Sequence, residues 1–418
     1  MKNTDDINRG YVDFIKVISR ASQGAGGGFI KAFLKIPLRV LKSSIMLLFI
    51  PLLFLYGAVL IFSLKLRLAL AGHNRDRSKA HREALHYIPE FIAQYPMHLY
   101  PIVAKAIEMS FLKDHMAKVL SEVKGGIVEL AVGDGSLSRR IFPEDSKVTA
   151  LDLNPYSLTH VRACGHVSKR IVADCLNPPI ADNGASFIVC NNLLHHVSGK
   201  ESTIENWACI APYALFNENT VYWASGWARP YLLKLAGLNG PAEKEAKKIE
   251  LLSLQSLWTA DRLRAAVGKH YEVLEEETFM SERVFFLSAV CSSLLFCYGP
   301  PTPEFQKKIL NGPLRPITRY MTYHMAKALI EYDSILPRDK DSFVSWVVRS
   351  KLTKRDYVPD AVALVCPDCR THLQGDTCSS CKRVFEERDE MLFLLPKELA
   401  EEIKYTPSIA GVLGKEHL

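Results

Sequence analysis

Residues 126–141 carry the pattern with the clearest chemistry, because a short apolar run passes through a glycine-containing turn into a helical pattern. The run Ile127–Leu130 predicts a buried strand, and Gly133 with Gly135 predicts the tight turn after it. Backbone N–H groups and a helix N-terminus would then face an open crevice. Glu129 restricts the ligand, because a carboxylate repels a pyrophosphate but suits an ammonium or sulfonium centre.

Acidic residues end the next two predicted strands. Asp152 closes an apolar run and lies 23 residues after Glu129. In a Rossmann-type unit, an acid at the tip of the second strand accepts hydrogen bonds from both ribose hydroxyls. The segment Arg170–Asp174 predicts a third strand that also ends in an acid. Leu153 and Cys175 follow directly and are candidates for contacts with the same nucleoside.

These strand ends resemble the class I S-adenosylmethionine (SAM)-dependent methyltransferases, whose first motif runs acid-x-Gly-x-Gly-x-Gly. Ala131 stands where that family has its first glycine. Residues 179–197, with their Leu-His-His-Val ending, look like the fourth-strand motif of the ubiquinone/menaquinone methyltransferase-like branch, although Ile188 replaces its usual aspartate. The resemblance covers roughly residues 77–351.

The resemblance implies an α/β fold with a Rossmann-like, seven-stranded sheet. The catalytic domain would span residues 73–352, with a helical insertion at about 280–340 that builds a substrate cap. Asp174 would face the adenine amino group. The residues expected to bind SAM are Glu129, Ala131, Gly133, Gly135, Asp152, Leu153, Asp174, Cys175 and Asn191.

Two histidines follow the predicted fourth strand. Methyl transfer displaces a sulfonium that its own charge already activates, so the protein mainly aligns the reactants and removes a proton when the acceptor needs it. His195 and His196 would stand at the mouth of the crevice and are candidate catalytic bases. The alternative is that one ring packs and the other is solvated. Methyltransferases that act on the amino groups of adenine or glutamine carry an Asn/Asp-Pro-Pro-aromatic motif just after the fourth strand. Residues 177–180 (Asn-Pro-Pro-Ile) lie before that strand and lack the aromatic residue, so N-methylation of adenine or glutamine is disfavoured.

The later strands are placed from apolar runs. Residues 220–223 predict the fifth strand, Tyr271–Glu275 the sixth, and Phe343–Val348 the seventh. An uncharged run at residues 284–298 lies in the insertion and is too short to span a bilayer. It predicts a buried helix, with a lid or membrane-dipping helix as the alternative.

The N-terminal region is basic and apolar. The protein has 418 residues and a formal charge of +7, but the excess lies at residues 31–82, which hold ten Lys or Arg and one acid. Ser43–Leu64 is uncharged over 22 residues, enough to span a membrane. Residues 36–72 are therefore predicted to form a membrane helix or re-entrant hairpin after an N-terminal arm at residues 1–35. Charge on this segment favours a lipid surface over nucleic acid as a partner.

Four of the ten cysteines cluster near the C-terminus as C-x2-C-x8-C-x2-C: Cys366, Cys369, Cys378 and Cys381. Two such thiolate pairs predict a closed, tetrahedral and therefore structural Zn²⁺ site. Iron in a rubredoxin-like site is the minor alternative. Residues 360–398 resemble the zinc-ribbon partner of tRNA- and release-factor methyltransferases, with a tail at 399–418. The scattered remaining cysteines fit a reducing compartment.

Three functions follow. The first is a membrane-anchored methyltransferase, with its catalytic domain facing the cytoplasm, that modifies an isoprenoid or quinone-like lipid or a lipid-linked saccharide. The second is a methyltransferase for RNA or a translation protein that docks through the ribbon. The third is a non-catalytic SAM-binding membrane scaffold. The near-neutral body disfavours the second, and the intact strand-end acids disfavour the third. The sequence leaves the acceptor and the oligomeric state open.

Overall fold

The computed structural model describes most of the chain from residue 79 onward and a short helical segment before it. The described residues are 59, 61–66, 79–94, 99–123, 125–133, 135, 137–197, 199–220, 258–285, 287–288, 315–336, 341–353 and 360–405. The predicted N-terminal arm, the C-terminal end of the tail, and most of the apolar segments at 43–64 and 284–298 lie outside them.

A nine-stranded mixed sheet forms the centre of the described fold, with strand order β10-β11-β3-β2-β1-β4-β5-β7-β6. The six strands from β11 to β5 are parallel, whereas β7, β6 and β10 are antiparallel to their neighbours. A two-stranded ribbon, β8-β9, is separate. The strands are β1 Ile127–Leu130, β2 Val148–Asp152, β3 Val167–Ala173, β4 Phe187–Asn191, β5 Tyr213–Asn219, β6 Tyr271–Ser281, β7 Asp341–Ser350, β8 Leu373–Gln374, β9 Thr377–Cys378, β10 Glu387–Arg388 and β11 Met391–Leu394.

Besides helical residues at 61–66 and 282–285, eight helices with defined bounds accompany the strands in the described part of the chain. They are α1 Lys79–Gln94, α2 Leu99–Glu122, α3 Ser138–Ile141, α4 Pro155–His160, α5 Lys200–Ile210, α6 Ala260–His270, α7 Arg315–Asp333 and α8 Lys397–Tyr405, with a 3₁₀ turn at Leu194–His196. Side-chain N-caps mark the start of α4 and α6. Asn154 accepts a hydrogen bond from the backbone amide of Tyr156, and Thr259 accepts one from the backbone amide of Arg262.

Helices cover both faces of the sheet, which explains why the central strands are buried along their whole length. Every residue of β1 and β2 is buried. One core joins α1, α2 and α7 to the sheet through residues such as Ile107 and Val189. A second joins α5 and α6 through residues such as Trp207 and Leu263, and a smaller third lies beside β2 and β3. The polar ends of the strands are therefore the parts left for binding.

The Rossmann-like arrangement confirms the predicted fold in its central strands, but the fifth strand was misplaced. It spans Tyr213–Asn219 and ends before the predicted position, with Thr220 following it. The prediction failed because the polar residues 217–219 interrupt the apolar run that marks a buried strand. The sixth and seventh strands occur as predicted but are longer, and Val284 in the insertion is fully buried.

The C-terminal region extends the catalytic sheet instead of standing apart from it. Strand β11 pairs in parallel with β3, and β10 pairs with β11. The sheet therefore has two more strands than the seven expected. The sequence could not predict these two additional strands, because the pairing of β11 with β3 joins residues more than 200 positions apart and leaves no local signal.

Only the end of the long N-terminal apolar segment is described. Leu64 is buried in the core that contains α1 and α2, whereas Val59 and Phe62 are exposed. Within the described residues, no helix is both long and apolar enough to cross a membrane. The membrane helix predicted at residues 36–72 is therefore not found in the described chain.

Candidate functional site

The glycine turn after β1 has the geometry that its sequence predicted. The Gly133 amide donates to Asp152 Oδ2 at 3.0 Å, so the turn is fixed to the end of β2. Gly135 has φ +63°, and an added Cβ would lie 2.4 Å from Val161 Cγ1. Ala131, in place of the family's first glycine, also has a positive φ of 55°. The left-handed backbone explains why the family prefers glycine there.

Glu129 lies under this turn and is almost completely buried. Ser138, at the start of α3, donates a hydrogen bond from its hydroxyl to Glu129 Oε2. Burial raises the pKa of Glu129 to about 7, the Ser138 hydrogen bond opposes the rise, and the Asp152 charge adds to it. A cationic ligand nearby would favour the ionised carboxylate.

Asp152 is the second acidic group of this cradle and is also buried. Its Oδ1 accepts from the Asn154 amide at 2.8 Å, while Oδ2 accepts from Gly133. Burial raises its pKa to about 6, against the lowering effect of these backbone donors. The Ser157 side chain and the Leu153 backbone amide also donate hydrogen bonds to this carboxyl.

The third predicted acid, Asp174, directly follows β3 and is half-buried. Its Oδ1 accepts from the Leu176 amide at 3.0 Å, and burial raises its pKa. The neighbouring Cys175 side chain is buried and lies 3.6 Å from the Leu151 carbonyl oxygen. Leu153 is buried in the core below β2. The predicted adenine and ribose residues therefore occupy the carboxyl ends of adjacent strands β3 and β2.

A buried cluster of amides and one carboxylate occupies the ends of β4 and β5. Glu108 on α2 accepts from Asn192 Nδ2 and from Asn217 Nδ2, both at 2.7 Å. Asn191 Oδ1 accepts from the same two groups at 3.2 and 2.5 Å. Lys105 lies 3.0 Å from the other Glu108 oxygen and balances its charge. We define Glu108, Asn192, Asn217 and Asn219 as the amide cluster; Asn191, which is predicted to bind SAM, borders it.

Glu218 holds the histidine turn next to the amide cluster. Its Oε1 accepts from the backbone amides of Leu193 and Leu194 at 2.9 and 2.7 Å. Its Oε2 lies 3.2 Å from His195 Nδ1. His195 is buried, whereas His196 is exposed although enough protein surrounds its ring to lower its pKa. Of the two predicted bases, His195 is therefore the one oriented by a carboxylate.

Sequence reasoning missed Glu108, Asn192, Asn217, Glu218 and Asn219. Glu108 lies in a helix with no motif around it, so only the fold brings it to the strand ends. The segment Asn217-Glu218-Asn219 did carry a signal, because three polar residues directly follow the apolar half of a buried strand. Polar residues at that end of a parallel strand mark the ligand crevice.

The four clustered cysteines meet at one point. Their Sγ atoms all lie within 4.8 Å of one another, with 3.7 Å between Cys366 and Cys381 and 3.4 Å between Cys369 and Cys378. Zinc–sulfur bonds of about 2.3 Å in a tetrahedron place sulfurs about 3.8 Å apart. Cys366 and Cys378 are buried, and the other two are exposed. This donor set fits a structural metal ion.

The cysteine-rich region contacts the segment that follows Asp174. The Ala181 amide donates to the Ala363 carbonyl at 2.9 Å, and the Val365 amide donates to the Pro179 carbonyl at 3.0 Å. Arg370, between the two cysteine pairs, donates to the Pro178 carbonyl at 2.9 Å and to that of Ile180 at 2.7 Å. The Asn-Pro-Pro-Ile segment at residues 177–180 therefore contacts the cysteine-rich region, not a methyl acceptor.

Comparison with protein families gives one match: the methyltransferase domain family matches residues 128–210. These residues therefore carry a methyltransferase domain. The match runs from β1 to the end of α5 and contains Glu129, Asp152 and Asp174. No curated protein sequence matches the chain.

Solved structures with a similar arrangement have low identity. The [4+2]-cyclase SpnF is 16% identical, with 59% of this chain and 81% of that chain covered and a TM-score of 0.37. A putative sarcosine dimethylglycine methyltransferase from Galdieria sulphuraria is 12% identical, with 60% and 89% covered and a TM-score of 0.37. The cyclopropane synthase MmaA2 from Mycobacterium tuberculosis is 15% identical, with 57% and 83% covered and a TM-score of 0.34.

Proposed function

We propose that this methyltransferase transfers the methyl group of SAM to an amphiphilic or lipid-linked acceptor at a membrane surface. The main observation in its support is the order of the strands. The acids proposed to bind SAM lie at the ends of β3, β2 and β1, so the ends of β4 and β5 remain for a second molecule. When bound, SAM supplies an electrophilic methyl group on a charged sulfur. The residues fit SAM, since two buried carboxyls with raised pKa values stand beside the glycine turn.

Residues at the ends of different strands would have different roles in binding SAM. Asp174 and Asp152 hold the nucleoside, and the turn at Gly133 and Gly135 receives the amino-acid end. Glu129 stabilises positive charge. Alignment of acceptor and methyl supplies most of the rate enhancement, because a fixed in-line approach replaces a bimolecular encounter.

The lipid part of the proposal is supported by the N-terminal region. Ser43–Leu64 is uncharged and flanked by basic residues, which suits a bilayer with anionic lipids. Val59, Phe62 and Leu66 expose apolar side chains at the described end of this segment. SAM is a cytosolic metabolite, so the catalytic domain would face the cytoplasm. The four cysteines would hold Zn²⁺ in a structural role.

The deciding experiment incubates membranes and full-length protein with methyl-labelled SAM and then separates lipid, RNA and protein. Label in the lipid fraction is the expected result. Label in RNA or protein would overturn this function in favour of translation-related methylation. Binding of S-adenosylhomocysteine without any transfer would favour a scaffold. Asp152→Ala is the control that should abolish both binding and transfer.

A further inference from the structure

The ends of β4 and β5 hold an unusual set of buried, unpartnered oxygen atoms. Asn192, Asn217 and Asn219 each have a buried Oδ1 with no hydrogen-bond donor. Asn217 and Asn219 are almost fully buried. An unpaired buried acceptor is destabilising, and native proteins contain few of them. Three at one end of a sheet therefore need an explanation.

Glu108 fixes the direction in which two of these amides point. A carboxylate only accepts hydrogen bonds, so Asn192 and Asn217 must turn their NH₂ groups toward it. Their oxygens then face elsewhere. Flipping either amide would place two oxygens in contact, which is unfavourable. The unpaired oxygens are thus a consequence of the Glu108 hydrogen bonds.

The nucleoside of SAM is assigned to strands on the other side of β1. Asp174 and Asp152 end β3 and β2, whereas the amide cluster ends β4 and β5. Donors for the three oxygens are therefore expected from the methyl acceptor. Neutral amides select neutral donors, and the nearby Glu108 charge is balanced by Lys105 at 3.0 Å. Neighbouring hydroxyl groups meet these requirements, whereas a hydrocarbon would leave every oxygen unpaired.

We infer that the amide cluster binds the hydroxyl groups of a saccharide head group and that one of these hydroxyls is the methylated atom. This inference rests on the proposed function and selects the lipid-linked saccharide among its acceptors. Glu218 beside His195 Nδ1 favours the tautomer that leaves Nε2 as a proton acceptor. The hydroxyl oxygen bonds to the methyl carbon while the carbon–sulfur bond breaks. The electron pair of the broken carbon–sulfur bond stays on sulfur, so the leaving group is a neutral thioether. The hydroxyl proton passes to His195 Nε2.

The test uses full-length protein in detergent, a total lipid extract and methyl-labelled SAM. Mild acid then releases sugars from lipid carriers. The inference expects the label in water-soluble O-methyl sugars. Label that stays with the hydrocarbon or on an amine would overturn it while leaving lipid methylation intact. Label absent from lipid altogether would instead reject the proposed function.

Variants connect that product to the cluster. Asn217→Ala and Asn219→Ala should raise the KM for the lipid acceptor at least tenfold, while S-adenosylhomocysteine affinity changes less than twofold. Glu218→Gln should lower kcat with a smaller effect on KM, as expected for a positioning residue. Asn177→Ala, an exposed asparagine in the loop before β4, is the matched control. Unchanged acceptor KM in both cluster variants would overturn the assignment of the binding site.

Discussion

Leu394 of the C-terminal region pairs in parallel register with Ala173, the residue directly before Asp174. Strand β3, which ends directly before Asp174, the acid proposed to face adenine, is therefore an inner strand only because the region containing the four cysteines supplies its neighbour. Cys366 and Cys378 pack in the same core as Val128 of β1. The cysteine site and the SAM site are thus connected through backbone hydrogen bonds and a shared core.

Removing metal should weaken binding at the adenine side. Treatment with a chelator should lower S-adenosylhomocysteine affinity at least tenfold, about 1.4 kcal/mol, because the ribbon no longer supports β3 and the segment after Asp174. Titration calorimetry before and after zinc is restored measures the change. Cys369→Ser should have the same effect, and Cys209→Ser, outside the cluster, should not. Full affinity in metal-free protein would show that the ribbon folds and docks without an ion.

Arg370 should contribute to stability through its contacts with the catalytic domain. Its guanidinium donates to the carbonyls of Pro178 and Ile180. Arg370→Ala should lower the free energy of unfolding in urea by about 1–3 kcal/mol, since it removes two charged-donor hydrogen bonds. Arg388→Ala provides the comparison, because Arg388 is exposed like Arg370 but pairs with the nearby surface carboxylate of Glu386. That change should cost at most about 0.5 kcal/mol. Equal losses would mean that the Arg370 contacts add little.

The raised pKa of Glu129 predicts how stability changes with pH. The folded protein retains the proton up to about pH 7, whereas the unfolded chain releases it near 4.5. Between these values the folded state binds more protons, so the free energy of unfolding falls as pH rises, by roughly 3 kcal/mol in total. Urea unfolding at pH 5 and pH 8 measures the fall. Glu129→Gln should remove most of it, leaving the smaller part due to Asp152.

SAM binding should reverse this effect. A cation near Glu129 favours the ionised carboxylate, so affinity should increase from pH 5 to pH 7.5 and binding should release a proton. Calorimetry in buffers with different ionisation enthalpies detects that proton. Glu129→Gln should bind more weakly and release none from this group. An affinity that is independent of pH would place the positive charge of SAM away from Glu129.

The residues proposed to bind the cofactor could be grouped from sequence alone, and those proposed to bind the acceptor could not. Glu129, Gly133 and Gly135 lie within seven residues, so local pattern alone brings them together. The amide cluster instead depends on Glu108 and Asn217, which are 109 residues apart and meet at 2.7 Å. The contact between them is set by how α2 packs over the strand ends. The spacing of residues along the chain therefore does not predict this contact.

The C-terminal region shows the same division. The spacing of Cys366 and Cys369 predicts a knuckle, because its geometry is local. The attachment of the following strand to β3 depends on β11 matching the exposed edge of a distant strand. Arg170 of β3 donates to the Asp389 carbonyl and to Glu390, which fixes that register. These partners are more than 200 residues apart, so the sequence suggested a separate ribbon.

Gly135 gives the most direct test of the turn. An alanine there needs φ near +63°, at a cost of about 1–2 kcal/mol, and its Cβ would lie 2.4 Å from Val161 Cγ1. Gly135→Ala should therefore lose about 2–4 kcal/mol of unfolding free energy and most S-adenosylhomocysteine binding. Adding Val161→Ala removes the contact but not the backbone cost, so the double variant should recover only part of the binding. Gly165→Ala, where an added Cβ meets nothing within 4 Å, should behave as the wild type. Wild-type binding by Gly135→Ala would mean that the turn can move without losing the cofactor site.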